Sequence, residues 1–134
     1  MQRLSLTIIV MLVLLGCQTV PTEIPEDLTR AELIQLAQEA ADQENWEAAR
    51  AYYEAMIERF PDDRAAVATA RYEIAFVEYR RGNFATAEAL FTQVIQMYDT
   101  EADALPAWPG VLSRRLLEII ETERGSNSRD TPTG

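Results

Sequence analysis

Along residues 45–61 the apolar side chains fall on one helical stripe, made of Trp46, Ala49, Tyr53, Met56, Ile57 and Phe60. That spacing predicts an amphipathic helix with one buried face. Asn45 is a good N-cap and Pro61 a stop signal, so the helix is bounded at both ends. The same pattern returns thirty-eight residues later. Asn83 answers Asn45, Phe84 answers Trp46, Ala87 answers Ala49 and Phe91 answers Tyr53; Val94, Ile95 and Tyr98 answer Met56, Ile57 and Phe60. An internal repeat of this length points to stacked supersecondary units.

Each copy is preceded by a second helical pattern. Thr29-Arg30-Ala31-Glu32 reads as a capping box, in which the Thr and Glu side chains satisfy each other's backbone N–H groups. The helix it opens turns Leu33, Leu36, Ala37, Ala40 and Ala41 inward and fades at Asp42-Gln43-Glu44. So short a link predicts an antiparallel helical hairpin. After Pro61, Asp62 or Asp63 caps a third helix running to about residue 81, where Gly82 supplies the left-handed position that ends it. Asn83 caps a fourth helix to about residue 98. The third helix carries one extra turn around residues 65–68. A fifth helix is expected to start near Pro109 with Leu112, Leu116, Ile119 and Ile120 on its apolar face and Leu117 and Val111 at the edges. It reads as a cap over the second hairpin. Gly125 is expected to stop it, with residues 125–134 a disordered tail.

The N-terminus has a different logic. Arg3 precedes an apolar run over residues 4–15. Those twelve residues fall short of the ~20 needed to cross a bilayer core and suit a signal-peptide hydrophobic region. The run ends in Leu14-Leu15-Gly16-Cys17, which resembles the bacterial lipobox. That resemblance implies a signal peptide over residues 1–16, cleavage before Cys17, and lipidation of the Cys17 thiol. Two or more acyl chains, at ~0.8 kcal/mol per buried CH₂, would hold the protein on a membrane. Gln18, which follows, resembles the residue found in outer-membrane rather than inner-membrane lipoproteins. The expected location is therefore the bacterial cell envelope, with the chain facing the periplasm. Residues 17–27 hold two prolines and read as a flexible tether that stands the domain off by up to ~30 Å.

The repeated residues resemble the tetratricopeptide repeat. Ala37 and Ala75 take its small first-helix place, after Leu36 and Ile74. Ala49 and Ala87 take the helix crossing, Tyr53 and Phe91 the aromatic place, and Pro61 the closing proline. Departures stand at Leu33 and Arg71 (Trp preferred), at Ala40 and Glu78 (Tyr preferred), and at Asp99 (Pro preferred). The resemblance implies an all-α, right-handed solenoid: two helical hairpins over residues 28–124 with a C-terminal capping helix. Arg59-Phe60-Pro61-Asp62-Asp63 leading into a long helix is similar in style to repeats of bacterial envelope proteins. These include the lipoprotein of the outer-membrane β-barrel assembly machinery (BamD) and the Tol–Pal-associated repeat protein.

Charge and composition narrow the chemistry. The chain has 134 residues and a net charge of −10, and its basic residues are all Arg, with no Lys and no His. An acidic chain without a basic cluster argues against nucleic acid as a partner. Missing His and Lys remove the usual general base, the commonest metal ligand and the Schiff-base amine. Cys17 is the only cysteine, so no intramolecular disulfide forms. No catalytic site, metal site or cofactor is expected, and the chain is read as a non-enzyme.

Repeats of the resembled family hold a peptide or helix on the concave face of their first helices. Here that face is expected to present Tyr72, Phe76 and Tyr79 with Arg80 beside them, opposite Ile34, Gln38 and Ala41, with Arg114 the nearest polar residue of the fifth helix. The alternative is that the three rings simply pack between helices. A carboxylate clamp for chaperone tails needs Lys, Arg and Asn where this chain has Ala31, Ile34, Gln38, Thr69, Tyr72 and Phe76. The expected function is a membrane-anchored adaptor or scaffold for a protein partner in envelope or outer-membrane assembly. With only two repeats, self-association is also expected. The alternative functions are a transport accessory that binds a hydrophobic ligand or a solute-binding protein, favoured by a closed apolar pocket near Tyr72 and Phe76, and a plain spacer.

Overall fold

The computed structural model describes residues 20–127 apart from residue 22. The expected signal peptide, the lipobox-like segment ending in Cys17, and the tail beyond residue 127 lie outside the described residues. Within them the fold is all-helical: α1 (Arg30–Asp42), α2 (Trp46–Arg59), α3 (Arg64–Arg80), α4 (Phe84–Glu101), a single 3₁₀ turn (Ala102–Ala104) and α5 (Ala107–Asn127). α1 packs on α2, α3 on α2 and α4, and α5 on α4 with a lesser contact to α3. This is a helical solenoid of two hairpins and a cap.

Local chemistry accounts for the ends. Glu32 N–H donates to Thr29 Oγ1 at 3.3 Å and Thr29 N–H donates to Glu32 Oε2 at 2.8 Å, closing the capping box. Asn45 and Asp63 each accept the backbone N–H three residues on, at 3.3 and 3.0 Å. Both first helices end in the same double bond. Asn45 N–H donates to Ala40 O (2.8 Å) and Glu44 N–H to Ala41 O (3.0 Å), while Asn83 N–H donates to Glu78 O (2.9 Å) and Gly82 N–H to Tyr79 O (3.0 Å). This Schellman pattern requires a left-handed residue, and φ is +56° at Glu44 and +78° at Gly82. Gly82 adopts it freely; Glu44 is strained there.

The core lies in successive clusters along the solenoid. Leu33, Ala37, Tyr53 and Met56 form its first part, joined by Ala70 and Ile74 of α3; Ala75, Ala87, Phe91, Val94 and Ile120 form the second. Ala49 and Ala87 are fully buried at the two hairpin crossings, where a larger side chain would force the helices apart. Glu78 is 3% exposed, and its carboxylate accepts from Asn83 Nδ2 at 2.7 Å and Arg50 Nη1 at 3.2 Å, with Arg81 Nη1 at 3.5 Å. A charge can be buried when it is paired and hydrogen-bonded in this way.

Three expectations are corrected. First, α5 begins at Ala107 and runs through Gly125 to Asn127. Leu116, Leu117 and Ile120 pack on the second core cluster as expected, but the first turns bury Pro109, Gly110 and Ser113, while Val111 and Leu112 stand 59% and 40% exposed. At the start of the helix Gly110 lets the first turn sit on the Tyr98 ring, where a Cβ would meet the ring at 3.1 Å. Second, α4 runs three residues past Tyr98, to Glu101. Third, the tether is not free to its end. Ile24 and Leu28 pack against the first hairpin, and Arg59 donates to the carbonyls of Ile24 (2.7 Å) and Pro25 (2.5 Å).

Candidate binding groove between the first helices

α1 and α3, the first helices of the two hairpins, flank a cleft floored by α2. Gln38, Ala41 and Asp42 line it from α1, and Glu73, Phe76, Val77 and Arg80 from α3. Trp46 and Tyr53 of α2 complete it. The α3 residues are spaced so that Glu73, Phe76 and Arg80 share one face, one turn apart each. The cleft holds about 160 Å³, similar to an apolar cavity of ~150 Å³ that admits one benzene. It therefore has room for a single side chain.

Its electrostatics are uneven. Glu73 is half-buried and has neither a hydrogen bond nor an ion pair among the described residues. Burial pushes its carboxyl above the ordinary range. The Tyr53 hydroxyl is pushed up by burial first and then by the charges of Glu73 and Asp42, so both carboxylates act on the cleft floor. Arg80 is held over the Trp46 ring, 5.3 Å from its centroid, a cation–π contact that fixes the guanidinium at one end.

The expected aromatic stripe divides. Tyr72 stacks on Phe76 and Phe76 on Tyr79, each at 6.0 Å. Tyr72 also meets Trp108 of α5 edge-on at 5.1 Å and Phe91 at 5.9 Å, and is only 6% exposed. Burial and the nearby Glu73 push its hydroxyl up to about 12. Tyr79 meets Phe84 edge-on at 5.6 Å. Tyr72 is therefore a packing residue between α3, α4 and α5, because the cap helix covers it; it presents nothing to a partner. Phe76 belongs to both the ring stack and the cleft. Ile34 packs on the first core cluster and does not line the cleft, whereas Gln38 and Arg80 do.

Five residues of the cleft escape a reading of the sequence as a groove: Asp42, Trp46, Tyr53, Glu73 and Val77. Trp46 and Tyr53 read as packing residues, which they also are. Glu73 carried a usable signal, since it lies three residues before Phe76 and seven before Arg80. Among the described residues no group of three or more His, Cys, Asp or Glu is placed to hold a metal ion.

The tetratricopeptide repeat profile matches residues 33–63 and 69–100, one hairpin each. The chain carries two tetratricopeptide repeats. Glu78, at a place where the repeat prefers Tyr, is thus a buried charge that Arg50, Arg81 and Asn83 make tolerable. The chain is 31% identical over 93 residues to an uncharacterized protein of Treponema pallidum (strain Nichols); the match covers 68% of this chain and 37% of that one. The chain thus spans little more than a third of the length of that relative. No solved structure matches it. Tetratricopeptide repeats commonly bind protein partners, and the cleft lies on the face between their first helices.

Proposed function

We propose that this protein is a lipid-anchored adaptor of the bacterial cell envelope, holding a segment of a protein partner in the cleft between α1 and α3. The observation that carries the reading is that cleft: open, aromatic-walled and with a half-buried carboxylate that nothing in the described chain satisfies. Groups left in that condition gain from a partner that supplies the missing contact. The anchor rests on Leu14-Leu15-Gly16-Cys17 and its resemblance to a lipobox, and Gln18 favours the outer membrane facing the periplasm. The Arg59–Asp63 turn, similar in style to envelope assembly proteins, supports a role in envelope complexes.

The packed segment at Ile24 changes the geometry of such an anchor. Ile24 stands only seven positions after Cys17, a reach of at most ~25 Å. The first hairpin would stay near the bilayer surface. The transport-accessory reading calls for a closed apolar pocket near Tyr72 and Phe76. Instead, Tyr72 is covered by rings and the cleft at Phe76 is open and bears Glu73, Asp42 and Arg80, which favours the adaptor.

Two experiments test the proposal. Radiolabelled palmitate should mark the wild type and spare Cys17→Ser, and globomycin should block processing; equal labelling of both proteins refutes the anchor. Affinity isolation from crosslinked native membranes should recover a partner with the wild type and lose it with Gln38→Trp, which fills the cleft from an exposed position. Equal recovery by both refutes the groove.

A further inference from the structure

Resting on the reading of the cleft as a partner groove, we propose that its occupant delivers one basic side chain, Arg or Lys, into the cleft beside Glu73. The chain answers its other buried and half-buried carboxylates from within. Glu78 has Arg50, Arg81 and Asn83; Glu101 has Arg64; Glu88 has Arg124; Asp63 has Arg30. Glu73 and Asp42 have no such answer among the described residues, although both line the cleft.

The one cation in the cleft does not serve them. Arg80 lies two turns along α3 from Glu73, a rise of about 10 Å, and its guanidinium sits on the Trp46 ring. The groups that face the site are Glu73 and Arg80 from α3, Asp42 from α1 and the Tyr53 hydroxyl from α2. Two carboxylates against one guanidinium leave the cleft negative, within a chain of net charge −10. Such a surface repels acidic segments and draws basic ones.

The walls suit the rest of a long basic side chain. An Arg or Lys stem is apolar and packs along hydrophobic surface while its head seeks charge. Phe76 and Val77 offer that surface, and the aromatic faces attract the cation itself. The cleft's size admits one such side chain and excludes a whole helix, so the remainder of the partner segment would lie across the α1 and α3 faces.

The probe is a phage-displayed peptide library, panned in parallel on the full-length chain in detergent and on its Glu73→Gln form. Gln keeps the shape of Glu and removes a half-buried charge, so the fold is expected to survive, as a circular dichroism melt would verify. Wild-type binders should be enriched in Arg or Lys at one position. They should bind Glu73→Gln at least about tenfold more weakly, as expected for loss of one member of a desolvated charge pair. Ala at the enriched position should weaken binding to the wild type and scarcely alter binding to Glu73→Gln. Binders without basic enrichment that bind Glu73→Gln equally well, yet are lost on Gln38→Trp, would overturn the basic-residue inference and leave the groove standing. Binders indifferent to Gln38→Trp, or no binders, would overturn the groove reading itself. Binding of free arginine or a polyamine as tight as that of the peptides would overturn the claim that a protein segment is the occupant.

Discussion

Replacing Glu78 by Ala is the sharpest perturbation of the fold, because this carboxylate is buried where the repeat ordinarily places an aromatic ring. Its side chain is 4% exposed. It accepts from Asn83 at 2.7 Å and Arg50 at 3.2 Å, and Arg81 stands at 3.5 Å. Stripping one partner from a fully buried ion pair costs about 3–5 kcal/mol, since the other charge is left alone. Here the two guanidinia are not abandoned: Arg50 keeps Glu54 at 2.7 Å and Arg81 keeps Glu47 at 2.7 Å. What is lost is a charge-assisted bond to Asn83, part of two ion pairs, and the packing of one methylene. The cost therefore comes to about 2–3 kcal/mol. In a domain of this size that lowers the melting temperature by roughly 10–20 °C. Urea denaturation followed by circular dichroism at 222 nm measures it directly, with Glu78→Gln expected to fall between Ala and the wild type. A loss below about 0.5 kcal/mol for Glu78→Ala, the scatter of ordinary surface changes, would mean that the network is not holding α2, α3 and the turn together.

Other outcomes follow from the same structure. Glu44→Gly should stabilise the domain by about 1 kcal/mol, because it relieves a left-handed residue that Gly82 adopts without strain; a destabilised variant would contradict the shared helix-end geometry. Ser113 is fully buried and its hydroxyl has no hydrogen-bond partner among the described residues, so Ser113→Ala should stabilise by about 1 kcal/mol in the same denaturation assay. Glu73 gives a pH dependence. Its carboxyl is raised by burial, so the folded chain holds this proton more tightly than the unfolded chain. That contribution is present at acid pH and lost as pH rises through the raised value. Melts of wild type and Glu73→Gln should therefore separate as pH rises from acid to neutral, the variant gaining; a pH-independent difference contradicts this, with Asp42, Arg80 and Tyr53 common to both proteins.

The parts of the fold that were legible in the sequence are those decided locally. Thr29 with Glu32, Asn45, Asp63 and Gly82 each act on backbone groups within a few residues, so their types alone announce the helix ends. The repeat supplied the rest, since Ala49 and Ala87, or Tyr53 and Phe91, return in register. What escaped depends on partners far along the chain. Glu78 meets Arg50 across 28 residues, and nothing near Glu78 says that an Arg will arrive. Likewise the cap helix settles Tyr72: the spacing of Tyr72, Phe76 and Tyr79 is right for a groove, yet Trp108 closes over the first ring. The start of the α5 face was misjudged because hydrophobicity favoured Leu112, whereas close approach to Tyr98 favours the small Gly110. The cleft was half legible, through Gln38, Phe76 and Arg80. Of its remaining walls, Trp46 and Tyr53 have a packing role that concealed their place in the cleft.

The most direct test of the groove is a photoreactive amino acid placed in the full-length chain at Gln38, inside the cleft, and at Gln93, exposed in a separate depression lined by α2, α3 and α4. Irradiation in native membranes should yield a discrete protein adduct from position 38 and none from position 93, and Glu73→Gln should diminish it. An adduct from position 93 alone, or equal adducts from both, would contradict a partner bound between α1 and α3.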